Sequence, residues 1–124
     1  MAQRANSMYL VGIKAGADLS SSQYKAVKYD SAGDVVVAGA GEAAAGILMN
    51  APASGAAADV VALGGALAIA GATSWDEGVF LKVDGNGDLI PVTTDKDFYI
   101  ARAIRSAVDN DISEVFVHPG YYAV

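Results

Sequence analysis

Val27-Lys-Tyr-Asp-Ser-Ala-Gly-Asp-Val35 and Leu81-Lys-Val-Asp-Gly-Asn-Gly-Asp-Leu89 are two versions of one pattern. Lys28, Asp30, Gly33 and Asp34 fall on Lys82, Asp84, Gly87 and Asp88, at an offset of 84 − 30 = 54. Asp and Gly at a tight connection supply side-chain-to-backbone hydrogen bonds and left-handed backbone, while the flanking Val, Leu and Ile supply paired strands, so each copy reads as a β-hairpin. The match extends outward from the hairpins. Ala15-Gly16-Ala17 falls on Ala70-Gly71-Ala72, and Asp59-Val60 with Gly65 falls on Glu114-Val115 with Gly120, each at an offset of 70 − 15 = 55. A one-residue insertion reconciles the offsets. In both copies the order is an A-G-A turn, a strand, the D-x-x-G-D hairpin, a further strand, a loop, and a strand that runs to Gly.

The rest of the chain is punctuated in the same way. Short apolar runs alternate and are separated by Gly, Asp, Asn and Ser, which favours strands over helices. The pattern predicts strands over 9–14, 24–29, 34–38, 45–50, 58–63, 66–70, 79–83, 89–93, 98–106 and 112–118. Over 96–108, Phe98, Ala101 and Arg105 also fit one face of a helix. The expected fold is all-β, a compact barrel- or sandwich-like domain over residues 10–124, built from two tandem units of about 55 residues (10–65 and 66–120), with an extended N-terminal arm over 1–9. A unit of that size hides little apolar surface, so two units sharing a core is the natural solution.

Composition narrows the partners. Of the 124 residues 53% are hydrophobic, but 25 are Ala and 14 more are Gly, so the core must be thin and closely packed. A thin core gains from burial against neighbouring copies. Eight Lys and Arg stand against fourteen Asp and Glu, for a net charge of −6, and the basic residues form no run. A surface that tracks phosphates needs clustered positive charge, so nucleic acid is not an expected partner. Without Cys there is neither a disulfide framework nor a thiolate metal site. The first residues lack the apolar core of a signal peptide and read as an intracellular start. The longest uncharged stretch, 60–75, is broken by three glycines and falls short of the roughly 20 residues of a membrane span.

Candidate chemistry is sparse. Asp84-Gly-Asn-Gly-Asp88 has the spacing of a calcium loop, but Leu89 stands where that loop needs Gly, and Asp95 replaces its bidentate Glu. A hairpin turn is the simpler reading, as it is for Asp109-Asn110-Asp111. His118, the sole histidine, ends a strand before Pro119-Gly120, which reads as a turn, and no Ser lies in a G-x-S-x-G elbow that would pair with it. The expectation is a protein that is not an enzyme and carries no cofactor and no metal. Aromatic residues are sparse and gather partly at the ends, with Tyr9 near the start and Tyr121 and Tyr122 near the finish. Tyr buries much area at little entropic cost, so these residues, with Arg4 and Met8 of the arm, are the expected partner-binding residues. The arm is expected to lie across a neighbouring subunit and add backbone hydrogen bonds to its sheet edge.

From Ala15 to Val117 the chain resembles the capsid cement (decoration) proteins of tailed phages. The likeness rests on the order of a Gly- and Ala-rich body, Tyr24-Lys-Ala-Val-Lys-Tyr-Asp30, Gly46-Ile-Leu48, Asn50-Ala-Pro-Ala-Ser-Gly55 and Glu114-Val-Phe-Val117. In the second copy Ala101 stands where the first has Gly46. The resemblance implies a structural protein, made in the host cytoplasm, that binds the major capsid protein on the outer capsid surface of the virion. It implies a homotrimer, with no nucleic acid, no membrane and no catalysis. A carbohydrate- or receptor-binding β module, in which Trp75 would line an open groove, is the alternative.

Overall fold

In a computed structural model of the chain, residues 7–92 and 97–122 are described. They form nine strands: β1 (Met8–Tyr9), β2 (Ala26–Tyr29), β3 (Val35–Val37), β4 (Gly46–Leu48), β5 (Val60–Ile69), β6 (Phe80–Val83), β7 (Leu89–Pro91), β8 (Asp97–Ala103) and β9 (Ile112–Tyr122). There is no helix among the described residues, and 97–103 is strand. All strands join one curled antiparallel sheet in the order β3-β2-β4-β5-β9-β8-β6-β7, with β1 added to β5.

The order is the sequence repeat written in space, because β2, β3, β4 and β5 correspond to β6, β7, β8 and β9. The registers agree pair by pair. Lys28 faces Val36 and Lys82 faces Ile90; Val27 faces Gly46 and Leu81 faces Ala101; Ile47 faces Val61 and Arg102 faces Phe116.

The repeated residues make the repeated turns. Asp30 Oδ1 accepts the N–H groups of Ala32 (2.9 Å) and Asp34 (3.0 Å), and Asp84 Oδ1 accepts those of Asn86 (2.8 Å) and Asp88 (3.0 Å). Gly33 and Gly87 take φ of 84° and 83°, the left-handed step that a side chain resists. The calcium-like spacing of Asp84 to Asp88 is therefore hairpin chemistry, with the first carboxylate oxygen committed to backbone donors. The A-G-A segments do more than turn. Gly16 and Gly71 donate their N–H groups to Val35 and Leu89 (both 2.8 Å), and a Cβ on either glycine would strike the Oδ2 of Asp30 or Asp84. Each glycine is the seat on which its hairpin's aspartate rests.

Four expectations are corrected. The strands expected at 58–63 and 66–70 are one strand, β5, which runs through Gly64-Gly65. Those glycines pair with Val117 and Phe116, and Ser7 packs where a Cβ of Gly64 would sit. The turn expected at Pro119-Gly120 is also strand: β9 continues to Tyr122 against β8, and Pro119, which has no N–H to give, falls beside a register shift between Tyr99 and Ala101. The first strand shrinks to Met8–Tyr9, because the chain bends at Gly12 (φ 73°), leaving only single bridges from Lys14 to Ala57 and from Ala15 to Val35. The strand expected from Tyr24 begins at Ala26, since Tyr24 takes a left-handed φ of 72°.

Among the described residues, two clusters make up the interior. Ala15, Leu19, Val27, Val35, Leu48, Ala58 and Val60 pack together within the first unit. The second and larger cluster holds their counterparts Ala70, Leu81, Leu89, Ala103 and Val115, adds Trp75, and takes in Ala26, Ile47 and Val61 from the first unit. The units therefore share a core, and its small residues keep it as thin as the composition requires.

Candidate interaction surface

Strand alternation sorts β9 into an inner row, Val115 and Val117, and an outer row, Glu114, Phe116 and His118. On β5 the inner row is Ala66 and Ala68, and the outer row includes Leu63 and Leu67; on β8, Ala101 and Ala103 point in and Arg102 points out. Because β5, β9 and β8 are neighbours, their outer rows form one face. Leu63 (42%), Phe116 (45%) and Ile104 (45%) remain open to solvent there. Together with Tyr9, Leu67 and Glu114 they line a groove of about 650 Å³. The lining is mostly apolar, with the Glu114 carboxylate among it.

An aromatic cluster closes one end of the face. Phe80 meets Tyr99 edge-on at 4.7 Å between ring centres, and His118 lies 5.9 Å from Phe80, 5.5 Å from Tyr99 and 5.7 Å from Phe116. The Arg102 guanidinium sits 5.1 Å from the centre of the Phe80 ring, and its Nε donates to the Gly78 carbonyl (3.3 Å). Burial among the rings, and then the positive charge of Arg102, push His118 below the ordinary histidine value of 6.5. His118 is thus a packed, neutral ring, flanked by aromatic groups and a cation. The unfolded chain takes up the proton at higher pH than the folded one, so this stabilisation is whole above about pH 6.5 and is lost as pH falls through the folded midpoint. An NMR titration of this sole histidine should give a midpoint below 6.5, and a midpoint above it would show the ring to be solvated or paired with a carboxylate.

The expected partner-binding residues are dispersed. Met8 and Tyr9 lie on β1, opposite Leu63 and Val61 of their own subunit, and are 60% and 48% exposed. Ser7 donates its hydroxyl to the Gly65 carbonyl (2.8 Å). Tyr121 and Tyr122 pair through their backbone with Phe98 and Asp97, and their side chains lie outside what is described, as does Arg4. Trp75 is not exposed. It is 3% accessible and its indole N–H donates to the Arg105 carbonyl (2.8 Å), so it cannot serve as the stacking platform of a carbohydrate groove.

Phe116, Ile104, Leu63 and Arg102 were not singled out by sequence reasoning. The alternation of Glu114, Phe116 and His118 with Val115 and Val117 carried the signal for an outer row on one strand. Nothing local in sequence joins that row to Leu63 or Ile104.

Among solved structures, the N base of the head fibre gp8.5 of bacteriophage phi29 matches with a TM-score of 0.69, over 86% of this chain and 90% of that one, at 13% identity. The two chains share a fold. No protein-family model matches the sequence, and no curated protein does.

Proposed function

We propose that this chain is a structural protein of a phage head, a decoration or cement protein that binds the major capsid protein on the outer surface of the shell and stabilises it without catalysis. The observation that carries this reading is the fold shared with the head fibre base of phi29 across nearly the whole of both chains. The order of sequence elements that resembles cement proteins supports it independently. The electrostatics agree, because Lys25, Lys28 and Arg105 are engaged with Asp88, Glu42 and Glu114 at 2.8 to 2.9 Å rather than gathered into a patch for nucleic acid. The protein acts in the virion, as a homotrimer, with neither nucleic acid nor membrane as a partner.

Shell contact is made by the N-terminal segment, where Met8, Tyr9 and Val11 present apolar side chains to solvent, Val11 at 92% exposure. Residues so exposed contribute little to the fold. Replacing all three by Ser should leave the melting temperature close to that of the unsubstituted protein and weaken shell binding at least tenfold, about 1.4 kcal/mol. Shell occupancy at equal free concentration reads the effect. Equal occupancy of the two proteins would move the contact elsewhere.

A further inference from the structure

The two D-x-x-G-D turns are alike in geometry and unlike in surroundings. The Asp84 to Asp88 turn is docked on the first unit. The Ala26 N–H donates to the Gly87 carbonyl (2.8 Å), Lys25 Nζ reaches the Asn86 carbonyl (2.8 Å) and Asp88 Oδ1 (2.9 Å), and the Gly41 N–H donates to Val83 (3.1 Å). A Cβ on Gly87 would run into Val37 and touch Lys25. At Gly33, the counterpart of Gly87, a Cβ would meet nothing within 4 Å. Tyr29, the counterpart of the buried Val83, is 51% exposed. The first turn is a knob without a socket.

The socket is also duplicated. The second turn docks beside Ala26, whose cross-strand neighbour Ile47 and, beyond it, Val61 share its face, all three at 0% exposure. Their counterparts in the second unit are Phe80, Arg102 and Phe116, and Ile104 is the counterpart of Met49. These are residues of the open face described above. The Lys25–Asp88 ion pair of the internal contact has an equivalent too. Lys25 corresponds to Val79, which carries no charge, but Arg102 bonds the adjacent Gly78 carbonyl and lies over Phe80, which puts a cation beside the second socket. Asp34, the counterpart of Asp88, is the carboxylate that a docked first turn would bring to it.

We propose that the Asp30 to Asp34 turn of one copy, with Tyr29, docks on the Phe80–Arg102–Ile104–Phe116 face of a second copy, repeating between molecules the packing that joins the two units within one. The partner is another copy of this chain, and the contact is head-to-tail, so each copy uses two different surfaces. Such contacts close into a ring when the rotation per copy divides the circle. In the trimer proposed above, three copies present six units in one succession. The larger side chains of the second socket make the contact related to the internal one rather than identical. This packing does not depend on shell binding, because it is read from solution mass in the absence of any capsid.

Head-to-tail contact has a distinctive test. Phe116→Asp disables the socket and leaves the knob, and Tyr29→Asp does the reverse; both positions face solvent, and circular dichroism checks that each variant keeps the sheet. By light scattering with size exclusion, the unsubstituted protein should be a closed oligomer. Each variant alone should associate at least tenfold more weakly, and an equimolar mixture should give a two-chain complex and nothing larger, since only one competent knob and one competent socket remain. A charge exchange tests the same contact without touching the aromatic residues. Arg102→Asp and Asp34→Arg should each weaken association, and the two together in one chain should restore it. A monomer at every concentration, an oligomer indifferent to these substitutions, or a mixture that forms no two-chain complex would each overturn the proposal.

Discussion

Gly46→Ala is expected to cost about 3 kcal/mol or more, the upper end of what overpacking does, and to lower the melting temperature by about 10 °C or more. Gly46 is buried in β4 between β2 and β5, where it pairs with Val27. A methyl group there would overlap the Val61 carbonyl oxygen and lie 2.7 Å from Val60 Cγ1 and 2.9 Å from the Val61 carbonyl carbon. Two of those three atoms are backbone, and β5 cannot retreat, because it is also held by β1 and β9. Ala101 shows what the position needs if a methyl is to fit, since in the second unit the ladder shifts register between Tyr99 and Ala101. Gly65→Ala is the control. No atom lies within 4 Å of its Cβ position, so that variant should stay within about 1 kcal/mol of the original, on the stabilising side. Equal losses at the two glycines, measured by thermal melts, would mean that β4 is not held as described.

Trp75→Ala should cost about 3 to 5 kcal/mol, the usual range for removing a large buried aromatic side chain. Trp75 is 3% accessible in the shared core, and its loss leaves both a cavity and the Arg105 carbonyl with only the Ser113 hydroxyl, at 3.5 Å, as a donor. Trp75→Phe keeps most of the volume and should lose roughly 1 kcal/mol from the hydrogen bond, with any remainder from packing. Denaturant titration followed by far-UV circular dichroism compares the three proteins. Fluorescence of the single tryptophan in the unsubstituted chain should resist quenching by acrylamide. A readily quenched tryptophan, or a Trp75→Ala variant as stable as the parent, would return Trp75 to the surface and restore the carbohydrate-binding alternative.

The parts of the fold legible in the sequence are those whose physics is local. D-x-x-G-D spells a hairpin because the first Asp bonds donors two and four residues on and the Gly takes the left-handed step, all within five residues. Two such hairpins at matching places then imply a repeated unit. Gly64-Gly65 and Pro119-Gly120 misled for the converse reason. Each is a breaker by local propensity, and each is held in a strand by distant partners: β9 and Ser7 for the glycine pair, β8 for the Pro-Gly. Tyr24 is an intermediate case. Its left-handed backbone is invisible at a tyrosine, but its counterpart at an offset of 54 is Gly78, with φ of 83°. The open face is assembled from residues 63, 102, 104 and 116 by long-range pairing, and so no reading of neighbouring residues could have gathered it. Met8 and Tyr9 are exposed and pair with β5 of their own chain, while residues 1–6 of the expected arm lie outside the described residues.

A protein that binds the outside of a phage head, as proposed, is expected to sediment with undecorated shells of the cognate major capsid protein. The purified protein should co-sediment with intact shells, saturate at a fixed number of copies per shell, and raise the temperature at which the shells come apart. Protein that stays in the supernatant at every concentration, with shells no more stable than before, would rule out a decoration role.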